Sequence, residues 1–423
     1  MRRTLSLFDV VCIGLNSIVG SGIFLLPDDL YRQMGALSPL AFALCAVGLL
    51  PIALCYAEAA SCVDRTGGPY VYASEAFGPN LGFAVGWMCF ANAVFSFAAV
   101  AAAAAAYFGR LLPAFAGLWP ERSVAMVVIA IFAALNYRGA KPGALAVDVF
   151  TIAKFSVLIV LVAALVPEVH WPSGGGATTL PSGLAGVGSA TFIALFAAQG
   201  FEVVPVPAGE TRHPRRDIPI GVVVTLLLAS LLYVLVQAVL VRSYGQLARV
   251  SDTPLADAAL AVVPSLGIVV AVGGLISTLG FVSGSALGTP RYLYAAAVDR
   301  HLPTALTRLH VQHESPHVAI VTTACVSAAF ALAFDYRALI GMSNVTVAVQ
   351  YLATCLAVLV LRRSGKEKPG FRAPLGPLLP LLGSAVSLWV FTEASFQELT
   401  WAAASMLVGV VAVVASKRLG RAA

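Results

Sequence analysis

Gly14-Leu15-Asn16-Ser17-Ile18-Val19-Gly20-Ser21-Gly22-Ile23-Phe24 lies inside the first long apolar segment of the chain, residues 8–32. Three glycines and two serines here are costly for a helix, since glycine weakens a helix interior by about 0.5–1 kcal/mol relative to alanine. Two physical readings fit. Small residues let helix backbones approach closely in lipid. Alternatively, the Gly20-Ser21-Gly22 core unwinds and leaves backbone N–H and C=O groups unpaired at the bilayer midplane. Unpaired groups there are tolerated only around a cavity or a bound ligand. The second reading gains weight because another interrupted segment appears at the corresponding position of the second half of the chain.

The setting of this stretch is a membrane. Of 423 residues, 59% are hydrophobic and 11% charged, against about 25% charged in soluble domains. A spanning helix needs about 20 mainly apolar residues, and such segments recur from end to end. Runs such as Ala98 to Ala106 exclude the alternating pattern of a transmembrane barrel. The first segment is too long for a signal-peptide core and has no clear cleavage site, so it is expected to be retained. The seven cysteines form no CxxC pair, which points to buried apolar packing rather than a disulfide framework or a metal site. Histidines 170, 213, 301, 310, 313 and 317 fall in loops or at span ends. They offer no convergent catalytic set, so neither an enzyme nor a cofactor is expected.

Twelve spans are read: 8–32, 38–62, 80–110, 122–137, 146–166, 183–211, 219–241, 266–298, 317–334, 337–361, 374–395 and 398–416. With both ends on one side, nineteen of the 26 basic residues fall in loops on that side, six on the other and Lys154 inside a span. The positive-inside rule then puts both termini in the cytoplasm, in a multi-pass protein of the inner (cytoplasmic) membrane. The basic excess is spread over loop ends, so the net charge of +6 does not point to nucleic acid.

The second interruption is Gln199-Gly200-Phe201-Glu202-Val203-Val204-Pro205-Val206-Pro207-Ala208-Gly209. Proline removes a donor and clashes with the preceding turn, so a continuous helix is not expected. Either the helix ends near Gly200, or two half-helices are joined by an unwound piece. The second option carries the chain to the basic cluster at Arg212. Spans one to five (8–166) and six to ten (183–361) then pair as two units of five. Five is odd, so the second unit enters the membrane inverted, with 374–416 as extra helices. In inverted repeats of this kind substrate is held where the two broken helices meet. Half-helix N-termini suit a carboxylate, and freed carbonyls suit an ammonium group or a cation. A zwitterionic amino acid presents both.

Several motifs resemble a known family. Gly20-Ser21-Gly22-Ile23-Phe24-Leu25-Leu26-Pro27 is similar to the first-helix motif of the amino acid–polyamine–organocation superfamily. Tyr56-Ala57-Glu58, Gly67-Gly68-Pro69-Tyr70-Val71-Tyr72 and Glu75-Ala76-Phe77-Gly78-Pro79 resemble its second-to-third helix connection. Gly200-Phe201-Glu202 and Glu210 to Pro219 resemble its sixth helix and the following loop, and Arg291 to Asp299 with Leu302-Pro303 the end of its eighth. Order and spacing hold over residues 6–320.

The resemblance implies an all-α membrane protein with a LeuT-like 5+5 inverted repeat, broken first and sixth helices and about twelve transmembrane helices. It also implies transport of amino acids or related amines by alternating access. Backbone around Ser21, Gly22 and Ile23 would take the substrate carboxylate. Carbonyls near Ser17, Ile18, Phe196, Ala197 and Gln199 would take the amino group, with Phe201 beside them. Phe196 stands where relatives place an aromatic gate; ordinary packing is the alternative.

Lys154 lies mid-span, where a lysine costs about 2.5–3.5 kcal/mol on insertion scales and is a functional candidate. Snorkelling to an interface is disfavoured by its distance from either span end. The resemblance implies that its ammonium replaces a sodium ion and touches carbonyls near Gly14 or Ser17, so transport is expected to be sodium-independent. Glu202 gates, or hydrogen-bonds unwound backbone. Glu58 and Asp148 read as solvated or structural, and Glu210 with Arg212, Arg215 and Arg216 as a latch or a topogenic cluster. No extra acid beyond Glu202 is found at substrate-facing positions, and Gly280, Phe281, Ser283, Gly284 and Ser285 of the eighth helix are mainly small. A neutral amino acid is therefore favoured. The alternative is an antiporter of cationic amino acids or polyamines, whose first-helix motif is similar. A non-transporting sensor or subunit is the reading from a different class.

Overall fold

The computed structural model describes residues 5–63, 67–138, 143–169, 180–206, 208–244, 251, 253–364 and 370–419. In chain order the helices are α1 (Leu7–Ile18), α2 (Gly22–Leu25), α3 (Pro27–Met34), α4 (Pro39–Cys62), α5 (Pro69–Phe77), α6 (Pro79–Leu111), α7 (Leu118–Tyr137), α8 (Gly143–Leu165), α9 (Gly183–Ala198), α10 (Pro214–Ser243), α11 (Pro254–Val262), α12 (Pro264–Val298), α13 (His317–Ala333), α14 (Tyr336–Ser364), α15 (Leu378–Glu393) and α16 (Phe396–Leu419). Seven of them, α3 to α6 and α10 to α12, open on proline, where the missing N–H has no intrahelical acceptor to lose. The start of α1 is closed differently. Ser6 accepts the Asp9 amide while the Asp9 carboxylate accepts the Ser6 amide, a reciprocal cap.

Among the described residues ten helical segments are long and apolar enough to cross a membrane. Two more, α13 and α15, are apolar but shorter, at 17 and 16 residues. They stand where the ninth and eleventh spans were read, at or below the short end of the usual spanning range. In the interior α10 lies along α4, and α6 packs against both α12 and α14. The outermost helices are α7 and α16, with only 11% of the most apolar stretch of each buried.

Both interruptions read from the sequence are present, and each differs in detail. The first segment is cut twice: residues 19–21 are unwound between α1 and α2, and Pro27 then starts α3. The sequence reading recognised only the first cut. In the second segment α9 stops at Ala198, but no second half-helix of α type follows. Residues 201–203 and 208–210 instead form single 3-10 turns before Pro214 opens α10. The amides of Val204, Val206 and Thr211 each bond three residues back. Pro205 withholds a donor and limits the helix to such pieces, and Pro207, outside the described residues, is a second imino acid in the same run.

The two interruptions are pressed together through glycines. Gly200 has φ +128°, and a Cβ on it would lie 2.6 Å from the Ile18 nitrogen and from the Ser17 carbonyl atoms. A Cβ on Gly22 would lie 2.5 Å from that of Ala197. Backbone therefore meets backbone at both points. One end of this crossing is tied down by a parallel bridge of Leu5 with Thr211, in which the Arg212 amide donates to the Leu5 carbonyl at 2.9 Å.

Glu58 takes the structural role of the two read for it. It is 2% exposed, and its carboxylate accepts Arg362 Nε at 2.7 Å, Arg362 Nη2 at 2.5 Å and the Ala373 amide at 2.8 Å. This fork joins α4 to the end of α14 and the strand of chain after it. The side chains of Asp148 and Glu210 lie outside the described residues, as do Arg2, Arg3, Arg65, Lys141, Arg249, Lys366, Lys368 and Arg421 of the loop tally and His170.

Two outcomes are expected for purified protein in detergent. Glu58→Ala strands the Arg362 charge and destabilises by about 3–5 kcal/mol, read as a lowered thermal midpoint. The Glu58→Ala/Arg362→Ala double variant loses less than the sum of the singles. Gly200→Ala meets both a strained φ and backbone atoms, whereas Gly183→Ala, at φ +60° with nothing within 4 Å, meets strain alone. Strain at one such residue is worth on the order of 1–3 kcal/mol, so Gly200→Ala is expected to lower the midpoint well beyond Gly183→Ala.

Candidate functional site

Unwinding at residues 19–21 frees carbonyls of α1 and of the break itself, and three other helices supply donors to them, while a fourth, α6, bonds the end of α2. Lys154 of α8 donates from Nζ to the Val19 carbonyl at 2.6 Å and to the Asn16 carbonyl at 3.1 Å. Ser277 of α12 donates to the Gly20 carbonyl at 2.8 Å, with Val19 at 3.4 Å. Tyr233 of α10 donates to Ile18 at 3.1 Å and Tyr107 of α6 to Phe24 at 2.9 Å. Lys154 is 0% exposed, and its recorded hydrogen-bond partners among the described residues are carbonyls, not carboxylates. They lie in the turn of chain named from the sequence, which gave Gly14 or Ser17.

Ser21 ends the unwound stretch and Gly22 and Ile23 open α2, and all three are buried. Ser21 Oγ accepts the Tyr336 hydroxyl at 3.0 Å. Amides at the start of a helix have no acceptor inside it and carry partial positive charge. Phe196 is buried beside them, its ring edge-on to Tyr336 with centroids 6.1 Å apart and planes at 86°. Ala197 and Ile18 are buried at the crossing. Ser17 is only partly buried, and its hydroxyl donates back to Ile13 at 2.9 Å.

Gln199 is locked by a buried network. Asn92 Nδ2 donates to Gln199 Oε1 at 3.1 Å, to the Ser343 carbonyl at 3.0 Å and to Ser343 Oγ at 2.9 Å. Gln199 Nε2 reaches Ser343 Oγ at 3.1 Å, and Ser96 Oγ lies 2.8 Å from the same hydroxyl. Below it the Glu202 carboxylate accepts the Gly200 amide at 2.7 Å and the Tyr351 hydroxyl at 3.0 Å. It thus bonds the unwound backbone. The Phe201 ring stacks on Tyr351 at 5.4 Å and stands edge-on to Tyr56 at 5.6 Å, so it is committed to an aromatic cluster rather than to the crossing.

Of the eighth-helix positions, Phe281 lies against Gly20, and Gly280 and Gly284 lie against Asn16. Ser277, one turn earlier, is the residue that reaches the carbonyls. Asn16 Oδ1 is buried without a hydrogen-bond partner among the described residues. Sequence reasoning missed Asn92, Ser277, Ser343 and the tyrosines at 107, 233, 336 and 351. Asn92 could have been found as an amide stranded in an apolar run; tyrosines at these positions are indistinguishable in sequence from packing.

Two aspartates lie toward the far end of the first broken segment. Asp28 accepts Arg32 Nη1 at 2.9 Å, Asp29 pairs with Arg32, and Asp29 also accepts Arg337 Nε at 3.1 Å. The acids are thus paired with cations of α3 and α14.

Comparison with known proteins agrees with this architecture. A family model described as amino acid permease matches residues 5–415. The chain is 26% identical to a branched-chain amino acid permease of Bacillus subtilis, over 97% of this chain and 92% of that protein. It is 25% identical to a serine/threonine exchanger of the same organism, over 97% and 95%. An uncharacterized transporter of Mycobacterium tuberculosis is 30% identical, over 91% and 86%. With its interrupted helices crossing at glycines, its all-helical LeuT-like fold and a match along nearly its whole length, the chain belongs to the amino acid permease family, whose members are transporters.

Proposed function

We propose that this chain is a secondary active transporter that moves a neutral amino acid by alternating access, without sodium. The observation that carries the reading is the crossing of the two interruptions. Backbone amides after the first break and backbone carbonyls beside both breaks stand a few residues apart, as a zwitterion requires. In this reading Ser21, Gly22 and Ile23 take the carboxylate, and carbonyls near Ser17, Ile18, Phe196, Ala197 and Gln199 take the ammonium. Phe196 closes over the substrate with Tyr336, and Glu202 couples the second break to α14 through Tyr351. The Lys154 ammonium occupies carbonyls that a cation would otherwise use, which supports sodium independence.

Neutral selectivity rests on the acids. Asp28 and Asp29 are paired with Arg32 and Arg337, and Glu202 with the Gly200 amide and Tyr351. Each of these carboxylates is thus already engaged, with Asp28 Oδ1 buried without a hydrogen-bond partner among the described residues, whereas a cationic side chain would need an acid of its own. The chain also resembles a mouse cationic amino acid transporter, at 28% identity over 87% of this chain and 61% of that protein. An antiporter of cationic amino acids is therefore the second reading. Topologically, the proposal is twelve spans, with α13 and α15 as the short ones. Residues 8–166 and 183–361 form inverted units, and both termini face the cytoplasm of a cell with this protein in its inner membrane.

The test is uptake of a labelled amino acid panel into proteoliposomes, with and without sodium, an inward proton gradient and internal amino acid. Uptake of neutral amino acids that is indifferent to sodium is expected; dependence on sodium, or preference for arginine and lysine, overturns the reading. Lys154→Ala leaves the Val19 and Asn16 carbonyls short of a donor and is expected to cut uptake at least tenfold. Ser21→Trp fills the position facing Tyr336 and is expected to abolish uptake while the protein still inserts and elutes as a single species. Normal transport by Ser21→Trp would place the substrate elsewhere.

A further inference from the structure

A cleft of about 460 Å³ runs between α7 and α13, well away from the crossing of the broken helices. Its walls are small and apolar: Ala133 and Ala134 from α7, Val321, Ala324 and Cys325 from α13. It lies beside the bare surface of α7, where Ile131 and Leu135 are each about half exposed, as is Val321 across the cleft. In a membrane that surface is covered by hydrocarbon.

One end of the cleft is chemically different. Tyr137 and Arg138 close α7 and line the cleft there, and Arg138 is exposed. The Tyr137 ring stands edge-on to His310 at 5.1 Å and to His317 at 6.0 Å, and His310 stacks on His313 at 4.7 Å. Ser315 pins this loop by donating to the Tyr137 carbonyl at 2.7 Å. The Nδ1 of His317 is buried with no hydrogen-bond partner among the described residues. The acid of this loop is Glu314, exposed in its turn, and Arg308 is exposed a few residues earlier.

A guanidinium, three imidazoles and a phenol thus cap a groove of alanine-scale depth that opens toward lipid. We propose that this cleft holds one anionic phospholipid, with an acyl chain between α7 and α13 and the phosphate at Arg138 and the histidine cluster. Charge complementarity selects this occupant. A zwitterionic lipid brings its own cation to a rim that already carries Arg138, whereas a lipid without one brings a net negative charge to the Arg138 guanidinium. The apolar walls favour a chain over a peptide, because no backbone donors or acceptors line them. In the proposed topology this end lies in the cytoplasmic leaflet. A bound lipid there braces α7 against α13, two helices remote from the broken segments.

The experiment uses the full chain purified in detergent. Retention of phosphatidylglycerol and of phosphatidylcholine with identical acyl chains is measured by native mass spectrometry, alongside thermal midpoints. At least fivefold preferential retention of phosphatidylglycerol is expected, with a raised midpoint. Arg138→Gln is expected to erase the preference. Arg122→Gln removes the same charge from the opposite end of α7, where Arg122 lies over Trp119, and is expected to keep it. Ala134→Leu, which fills the groove, is expected to reduce retention of phosphatidylglycerol. Equal retention of the two lipids, an unchanged preference in Arg138→Gln, or a midpoint raised equally by millimolar inorganic phosphate alone would each overturn the proposal.

Discussion

A carbonyl freed by unwinding inside a membrane must find a donor, and the interior of this protein is arranged around that demand. An unsatisfied backbone group in hydrocarbon costs several kcal/mol. The break at residues 19–21 is answered from α8, α10 and α12 by Lys154, Tyr233 and Ser277, and Tyr107 of α6 bonds Phe24 at the end of α2. Lys154 is the costliest donor to bury, at about 2.5–3.5 kcal/mol on insertion scales. A hydrogen bond to a charged group contributes about 1.5–3 kcal/mol, so its two carbonyl bonds are enough to offset that cost. The broken helix and the buried ammonium each offset a cost of the other.

The same logic runs through the second interruption, with donor and acceptor reversed. There the freed backbone group is an amide, Gly200 N–H, and the buried acid Glu202 accepts it. Tyr351 fixes the carboxylate from α14, and Asn92 with Ser343 fixes the neighbouring Gln199. Each interruption is therefore bonded to long helices of the surrounding frame and touches the other through glycine backbone. Relative movement of the pair must exchange these bonds as a set, which favours discrete arrangements over continuous bending.

The parts legible in sequence were those with a local cost. Gly20-Ser21-Gly22 and the prolines after Gly200 announce interruptions because they are poor helix formers in a setting that demands helices. Lys154 is conspicuous because a mid-span cation is expensive. What was hidden depends on three-dimensional pairing. Pro27 reads as a helix start as easily as a cut, and only the end of α2 at Leu25 and the start of α3 at Pro27 show that the first segment divides again. The expected second half-helix became two 3-10 turns, since proline spacing limits the length of a helix without stating what replaces it. Glu58 and Arg362 are 304 residues apart, and neither position hints at the other. Asn92 and Ser343 come from two helices and Gln199 from the residue after a third, and a hydroxyl or amide in an apolar run does not name its partner.

A division of labour follows from the chemistry at the crossing. In the proposed site, backbone amides and carbonyls would meet the carboxylate and ammonium that every amino acid shares, and they would be blind to its side chain. Relatives along the whole length of this chain carry names as different as a branched-chain amino acid permease and a serine/threonine exchanger. A backbone-built pole can be common to such proteins without fixing the substrate of any. In the proposed site discrimination must then come from side chains around the pole: Phe281 beside Gly20, Tyr336 and Phe196 above it, and the unpartnered Asn16 Oδ1 facing the small residues of α12.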